Sequence, residues 1–146
     1  MPHAFIVRAA DWKLDEIAMA EVRRAVFIVE QGVPEALEWE TIDPHCRWLV
    51  AIAPDQTLIG IVRLTSAGRI GRMAVMPDWR RRGVGHALLA AVLQAARELD
   101  LRQVHLSAQT HAVGFYTRHG FLAEGPEYLD AGIPHRSMTL DLKDSA

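Results

Sequence analysis

The sequence predicts an α+β domain of three layers, a mixed and mostly antiparallel central sheet with helices on both faces. Three observations carry this. "RWLVAIA" (47–53), "LIGIVRLT" (58–65) and "RIGRMAVM" (69–76) are apolar, β-branched runs separated by turns short enough for antiparallel hairpins. Amphipathic helical patterns stand before and after this meander. The 146 residues, 50% of them hydrophobic, contain no internal repeat, low-complexity segment or linker, so a single domain over 1–146 is expected.

In chain order, "AFIVRA" (4–9) reads as the first strand. Asp11 offers a cap for a helix whose apolar face is expected to hold Leu14, Ile17, Ala18, Val22, Val26 and Val29, ending near Gly32-Val33-Pro34. A loop containing "PEALEWETIDPH" leads into the meander, with Asp55-Gln56 and Ala67-Gly68 at its turns. The next helix starts near Gly83 and runs to about Leu99, with Val84, Leu88, Ala91, Val92 and Ala95 on one face. "QVHLSAQ" (103–109) is the following strand. "HAVGFYTRH" is a short helix closed by Gly120 as a left-handed cap, and "HRSMTLDL" is the last strand.

Charge and composition narrow the classes. A formal net charge of -2 argues against nucleic acid or an anionic membrane as partner. The N-terminus lacks a basic leader followed by an apolar stretch, and no apolar run approaches the ~18 residues of a membrane span, so a soluble, cytoplasmic protein is expected. The single cysteine, Cys46, excludes an intramolecular disulfide; beside His45 it suggests metal or nucleophilic chemistry, but no second spaced ligand pair exists and no metal is expected.

Within this near-neutral chain, "PDWRRRGVGHALLAAVLQAAREL" is locally basic: Arg80, Arg81 and Arg82 precede Gly83-Val84-Gly85 at a helix start. Free backbone N–H groups and the positive end of the macrodipole favour an anion there, glycines allow close approach, and guanidinium forks match phosphate oxygens. The stretch reads either as a diphosphate cradle or as a solvated basic turn whose glycines only make a bend. A Walker-type site is not supported, because no Lys-Ser or Lys-Thr follows Gly85, and a dinucleotide fingerprint fails where Leu88 holds the third glycine position. No Gly-x-Ser-x-Gly, zinc-ligand spacing or aromatic-interleaved basic patch is present.

A strand ending "MAVMP", then Arg-x-x-Gly-x-Gly and a helix, then a strand and "FYTRHGF", resembles the GCN5-related N-acetyltransferase (GNAT) family over nearly the whole chain. The phosphate signature is met by Arg80, Gly83 and Gly85, and a second signature by Phe115, Tyr116, Gly120 and Phe121. "VFIVEQGVPE" (26–35) and "DAGIPHRSM" (130–138) further resemble the ElaA-like subgroup. The resemblance implies a GNAT-like sheet splayed between its fourth and fifth strands, and acetyl-CoA as cosubstrate. It places the diphosphate on Arg80 to Gly85 with the His86 backbone, and the pantetheine arm on main-chain groups of Met73, Ala74 and Val75, a form of β-augmentation. It also implies an N–H near Val75 on the thioester carbonyl, Tyr116 toward the sulfur, and Gln109 where the family often has asparagine. Read from the pattern alone, Tyr116 on its short helix is a core aromatic, and only the resemblance turns it toward the sulfur. "RIGRMAV" has no glutamate, although some members use one there as general base.

Acetyl transfer to an amine needs a neutral nucleophile. Deprotonation at pH 7 costs about 4.6 kcal/mol for a lysine-like amine of pKa about 10.4, and about 1.4 kcal/mol for an α-amino group near 8. Candidate bases are His105, which alternation puts with Ser107 and Gln109 on one strand face, and Glu30 and His135, which lie in the two subgroup-like stretches. Each has an ordinary structural reading as well. Tyr116 is expected to stabilise the departing thiolate by hydrogen bonding. Glu30, Glu35, Glu38, Glu40 and Asp43 occur in a stretch with no basic residue, so the expected acceptor is a small-molecule or peptide amine, cationic if this stretch lines the pocket and unspecified if it is a solvated loop. The sequence is compatible with a homodimer. The alternative of another class is a non-catalytic acyl-CoA-binding sensor or interaction module.

Overall fold

The computed structural model describes residues 4–142. Strand β1 (Ile6–Ala9) leads to helix α1 (Trp12–Arg23), which continues as a wider π-helical stretch over Arg24–Glu30; a short α2 (Glu35–Glu38) follows. The meander is β2 (Arg47–Ile52), β3 (Leu58–Leu64) and β4 (Ile70–Val75). Then come α3 (Val84–Glu98), β5 (Gln103–Gln109), α4 (Val113–Thr117), β6 (Leu122–Asp130) and β7 (Ile133–Asp141).

All ladders are antiparallel and the strands form two sheets, β1-β2-β3-β4 and β5-β7-β6. They touch through one parallel bridge, Arg69 to His105, where the His105 N–H donates to Gly68 O at 3.0 Å. Beyond it β4 and β5 part, which is the splay expected between the fourth and fifth strands. Gly68 makes this junction possible. Its φ is +90°, and a Cβ there would stand 2.9 Å from Gln103 O, so the turn entering β4 needs glycine.

Strand alternation sends Leu49, Ala51, Val62 and Leu64 to one face, where α3 covers them with Val84, Leu88, Leu89, Val92, Leu93, Ala95 and Ala96. Gly60 lets α3 lie close: a Cβ on it would be 3.0 Å from Leu88 Cδ1 and 3.1 Å from Val84 Cγ1. The opposite face carries Trp48, Val50, Ile52 and Ile61 against Met19, Val22 and Val26 of the first helix. The core is thus divided by the sheet, with one helix on each side.

Two expectations need correction. On the first helix Val22 and Val26 are buried, but Leu14, Ile17 and Val29 are 82%, 76% and 75% exposed. The buried face is instead Asp15, Met19, Val22, Arg23 and Val26, set one position away. Its two charges explain the rotation: Asp15 receives Arg8 of β1 at 2.8 and 2.9 Å, and Arg23 reaches Glu38 and Asp43 at 2.8 and 3.0 Å. The expected Asp11 cap is present, its carboxylate accepting the Lys13 N–H. The second correction is at the C-terminal end, where the single expected strand is a hairpin of β6 and β7 turning at Ala131 and Gly132, both at positive φ. "LAEGPEYLD" escaped detection because it is an edge strand, broken in register between Glu124 and Tyr128, where Gly125 and Pro126 are tolerated.

Candidate active site

The helix start at α3 has no side-chain cap. Gly83 is left-handed (φ +85°), no side chain bonds the first-turn N–H groups, and the first intrahelical bond runs from Ala87 N–H to Gly83 O. The amides of Val84, Gly85 and His86 therefore face outward without a protein partner, as an anion site requires. Gly85 packs beside Phe115, 3.7 Å from its ring at the position a Cβ would take. Arg81 and Arg82 are exposed, Arg82 lying over Trp79 at 4.8 Å. Arg80 is turned differently. Its Nε donates to Val75 O at 3.0 Å, and its two terminal nitrogens donate to the Glu30 carboxylate at 2.7 and 2.6 Å. His86 Nδ1 lies 2.8 Å from His119 Nε2, and its ring packs on Phe115.

The gap between the sheets begins beside this cradle. Met76 N–H donates to Ile59 O, and Ala74 is in register with Ile61, so antiparallel alternation directs the Ala74 amide to β3 and the Val75 amide to the gap. Ala74 is thereby corrected as a main-chain partner for a bound arm, since its hydrogen-bonding groups are already paired. A register break between Ile61 and Arg63, with Arg72 at φ +51°, bulges β4 next to the gap.

The gap opens into a cleft of about 660 Å³. Met73, Tyr116, Gln109 and His135 all line it. The Tyr116 hydroxyl points at Met73 Sδ, 3.9 Å away, and burial pushes its pKa up to about 12, so it stays protonated. Gln109 Nε2 donates to Gln31 Oε1 at 3.0 Å, a link across the gap from β5 to the end of the first helix.

The sequence model of the acetyltransferase (GNAT) domain matches residues 10–142. The chain belongs to the GNAT acetyltransferase family. It is 34% identical over 123 residues to the uncharacterized N-acetyltransferase YjcF of Bacillus subtilis (strain 168), covering 82% of this chain and 88% of that one. Among solved structures it is similar to an acyl-CoA N-acyltransferase from Pseudomonas aeruginosa, at 34% identity, TM-score 0.82, and 93% and 99% of the two chains. It is also similar to Escherichia coli ElaA, at 25% identity, TM-score 0.83, and 92% and 98% coverage.

In this GNAT chain the three candidate bases part company. His135 lines the cleft with Nδ1 2.6 Å from Ile133 O, so Nδ1 carries the proton and Nε2 is left as an acceptor. Glu30 is outside the cleft lining and bound to Arg80, which holds its carboxyl below the usual range and makes it a poor base. His105 has the expected strand face, but it sits at the junction of the sheets, four residues or about 13 Å from Gln109. Of the three, His135 alone lines the cleft, Glu30 is paired with Arg80 and His105 lies at the sheet junction.

The acidic stretch is corrected as well. Glu38 meets Arg23 and Arg72, Asp43 meets Arg23 and Arg63, Glu40 meets Arg63 and Arg72, and Glu35 meets Arg24. These carboxylates are paired with arginines of α1, its extension, β3 and β4, so the stretch is not the unpartnered acidic loop its composition suggests. Burial raises the Glu38 pKa despite its partners, whereas the Arg63 guanidinium holds Glu40 below the usual range. The sequence alone missed this pairing, because the arginines lie 11 to 34 positions from their partners along the chain.

Gln31 and Ser107 also line the cleft, Gln31 without a sequence signal of its own. Tyr128 is hydrogen-bonded to Ser107 and stacks on His135 with ring centroids 6.2 Å apart. Among the described residues, no group of three His, Cys, Asp or Glu side chains is placed to hold a metal ion, and no helix is long and apolar enough to cross a membrane. Cys46 is half-buried, its thiol pushed up by desolvation and bonded to Ile42 O at 3.3 Å.

Proposed function

We propose that this chain transfers an acetyl group from acetyl-CoA to a primary amine by direct attack in a ternary complex. One arrangement carries the reading: an arginine-flanked helix start without a side-chain cap packs against Phe115, and the next residue, Tyr116, lines with His135 the cleft into which the gap beside β4 opens. The α3 amides, with Arg81 and Arg82, suit the cosubstrate's diphosphate, and Arg80 joins them once released from Glu30. The Val75 N–H polarises the thioester carbonyl.

The acceptor nitrogen, neutral after His135 Nε2 removes its proton, attacks the carbonyl carbon. The C–N bond forms, the C–S bond breaks with its electron pair leaving on sulfur, and the second N–H proton passes from the new amide nitrogen through water to the thiolate, giving the neutral amide and the free thiol. Tyr116 donates a hydrogen bond to that thiolate and keeps its own proton, which its raised pKa favours. Holding amine and thioester in line supplies much of the remaining rate.

Calorimetric titration with acetyl-CoA, using coenzyme A, ATP and NADH as comparators, tests the cradle, and thiol release with an amine panel tests transfer. Binding restricted to the two coenzyme A species, followed by turnover, is the expected result. Saturable binding without turnover on any amine would replace the enzyme by an acyl-CoA sensor. No binding by folded protein would leave the arginines and glycines as a turn.

A further inference from the structure

We infer that the amine acceptor carries a carboxylate about three to four extended residues from its reacting nitrogen, and that Arg69 receives it. The inference rests on the acetyl-transfer reading and deepens it. Six arginine and carboxylate side chains of the cleft wall decide the matter: Arg63, Arg69, Arg72, Glu38, Glu40 and Asp130. Glu38 and Glu40 are engaged by arginines. Among the described residues, no ion pair involves Arg69 or Asp130.

Donors are in excess on the arginine side. Arg63 has only 3% of its side chain exposed; its Nη1 is held by Glu40 and Asp43, yet its Nε is enclosed without any partner. Arg72 gives Nη2 to Glu40 and to the Glu38 carbonyl, while its Nε stands 3.1 Å from Glu38 Oε2 at an angle that makes no hydrogen bond. These nitrogens are enclosed and closed to a ligand, so the arginine of the cleft wall that is open to an incoming carboxylate is the exposed Arg69.

The free charges sit at opposite ends. Arg69 is bridged to His105, where the sheets meet. Asp130 is at the β6–β7 turn, in register with Ile133 and close to the rung where His135 faces Gln109 and Tyr128. From His105 to Gln109 is about 13 Å along β5, the length of three to four extended residues. An ammonium entering near Asp130, Tyr116 and His135 therefore leaves a carboxylate three to four residues behind it at Arg69. The carboxylate takes no part in the bond changes. A peptide α-amine also has the lower deprotonation cost that a histidine base suits.

The test is thiol release from acetyl-CoA with alanine peptides of one to four residues, each as the free acid and as the C-terminal amide. Trialanine or tetraalanine should exceed its amide in kcat/KM by about tenfold, the effect of one charge-assisted contact, with shorter peptides showing less discrimination. Arg69 is exposed and makes no side-chain bond, so Arg69→Gln should fold; it should raise KM for the free acid, leave kcat unchanged, and bring the acid-to-amide ratio to about one. Asp130→Asn should raise KM for acid and amide alike. A ratio near one at every length in the unaltered protein, or a ratio that survives Arg69→Gln, overturns the inference. So does a protein that binds acetyl-CoA but acetylates none of these peptides. Failure to bind acetyl-CoA would instead overturn the transferase reading itself.

Discussion

Glu30→Gln should tighten coenzyme A binding. In the structure Arg80 gives both terminal nitrogens to the Glu30 carboxylate, so the first arginine of the cradle is held by a residue of the π-helical stretch after α1 and not by the helix start. The pair is partly solvated, with 39% of the Arg80 and 43% of the Glu30 side chain exposed, and exposed pairs of this kind contribute about 0–1 kcal/mol. Releasing Arg80 therefore lowers the binding free energy by at most about 1 kcal/mol, a gain of up to about fivefold in affinity. Glutamine keeps the side-chain size and one acceptor, so the backbone path of residues 24–30 should persist. Calorimetry with coenzyme A at low and high salt reads the change, which should shrink as salt screens both contacts. Unchanged or weaker binding in Glu30→Gln, by protein with an unaltered unfolding midpoint, would refute the reasoning and recast Glu30 as the residue that positions Arg80 for the phosphates.

Tyr116→Phe should lower kcat by about 10- to 100-fold, the value of one hydrogen bond to a developing thiolate, and leave the calorimetric affinity for coenzyme A unchanged. Asp43→Ala leaves Arg23 and Arg63 short of a buried partner and should reduce stability by about 3–5 kcal/mol, measured as a shift of the urea midpoint. Gly68→Ala should cost about 1–3 kcal/mol, because φ +90° and the approach to Gln103 O both oppose a side chain. Asp15 and Glu40 have folded pKa values below their ordinary ones, so their contribution is present above those ordinary values and is lost as pH falls through the folded ones; Glu38, raised by burial, has the opposite sign. The urea midpoint should accordingly fall on acidification below about pH 4, with Asp15→Asn reducing that slope.

Local chemistry was enough for much of this protein. The meander, the turn at Gly68, the left-handed Gly120 and the start of α3 at Val84 follow from alternation, glycine conformation and helix periodicity, which act within a few residues. The glycine- and arginine-flanked helix start was legible for the same reason, since its residues are neighbours in the chain. The face of the first helix was not, because ion pairs from Arg8 to Asp15 and from Arg23 to Glu38 and Asp43 outweigh the exposure of Leu14 and Ile17. Nor was β6, an edge strand that keeps glycine and proline because its partner β7 supplies the register. The acidic stretch shows the division most directly. Its composition is a property of the sequence, but whether those carboxylates face a ligand or an arginine depends on side chains brought together from distant positions, and only the packing of α1, β3 and β4 around them decided that.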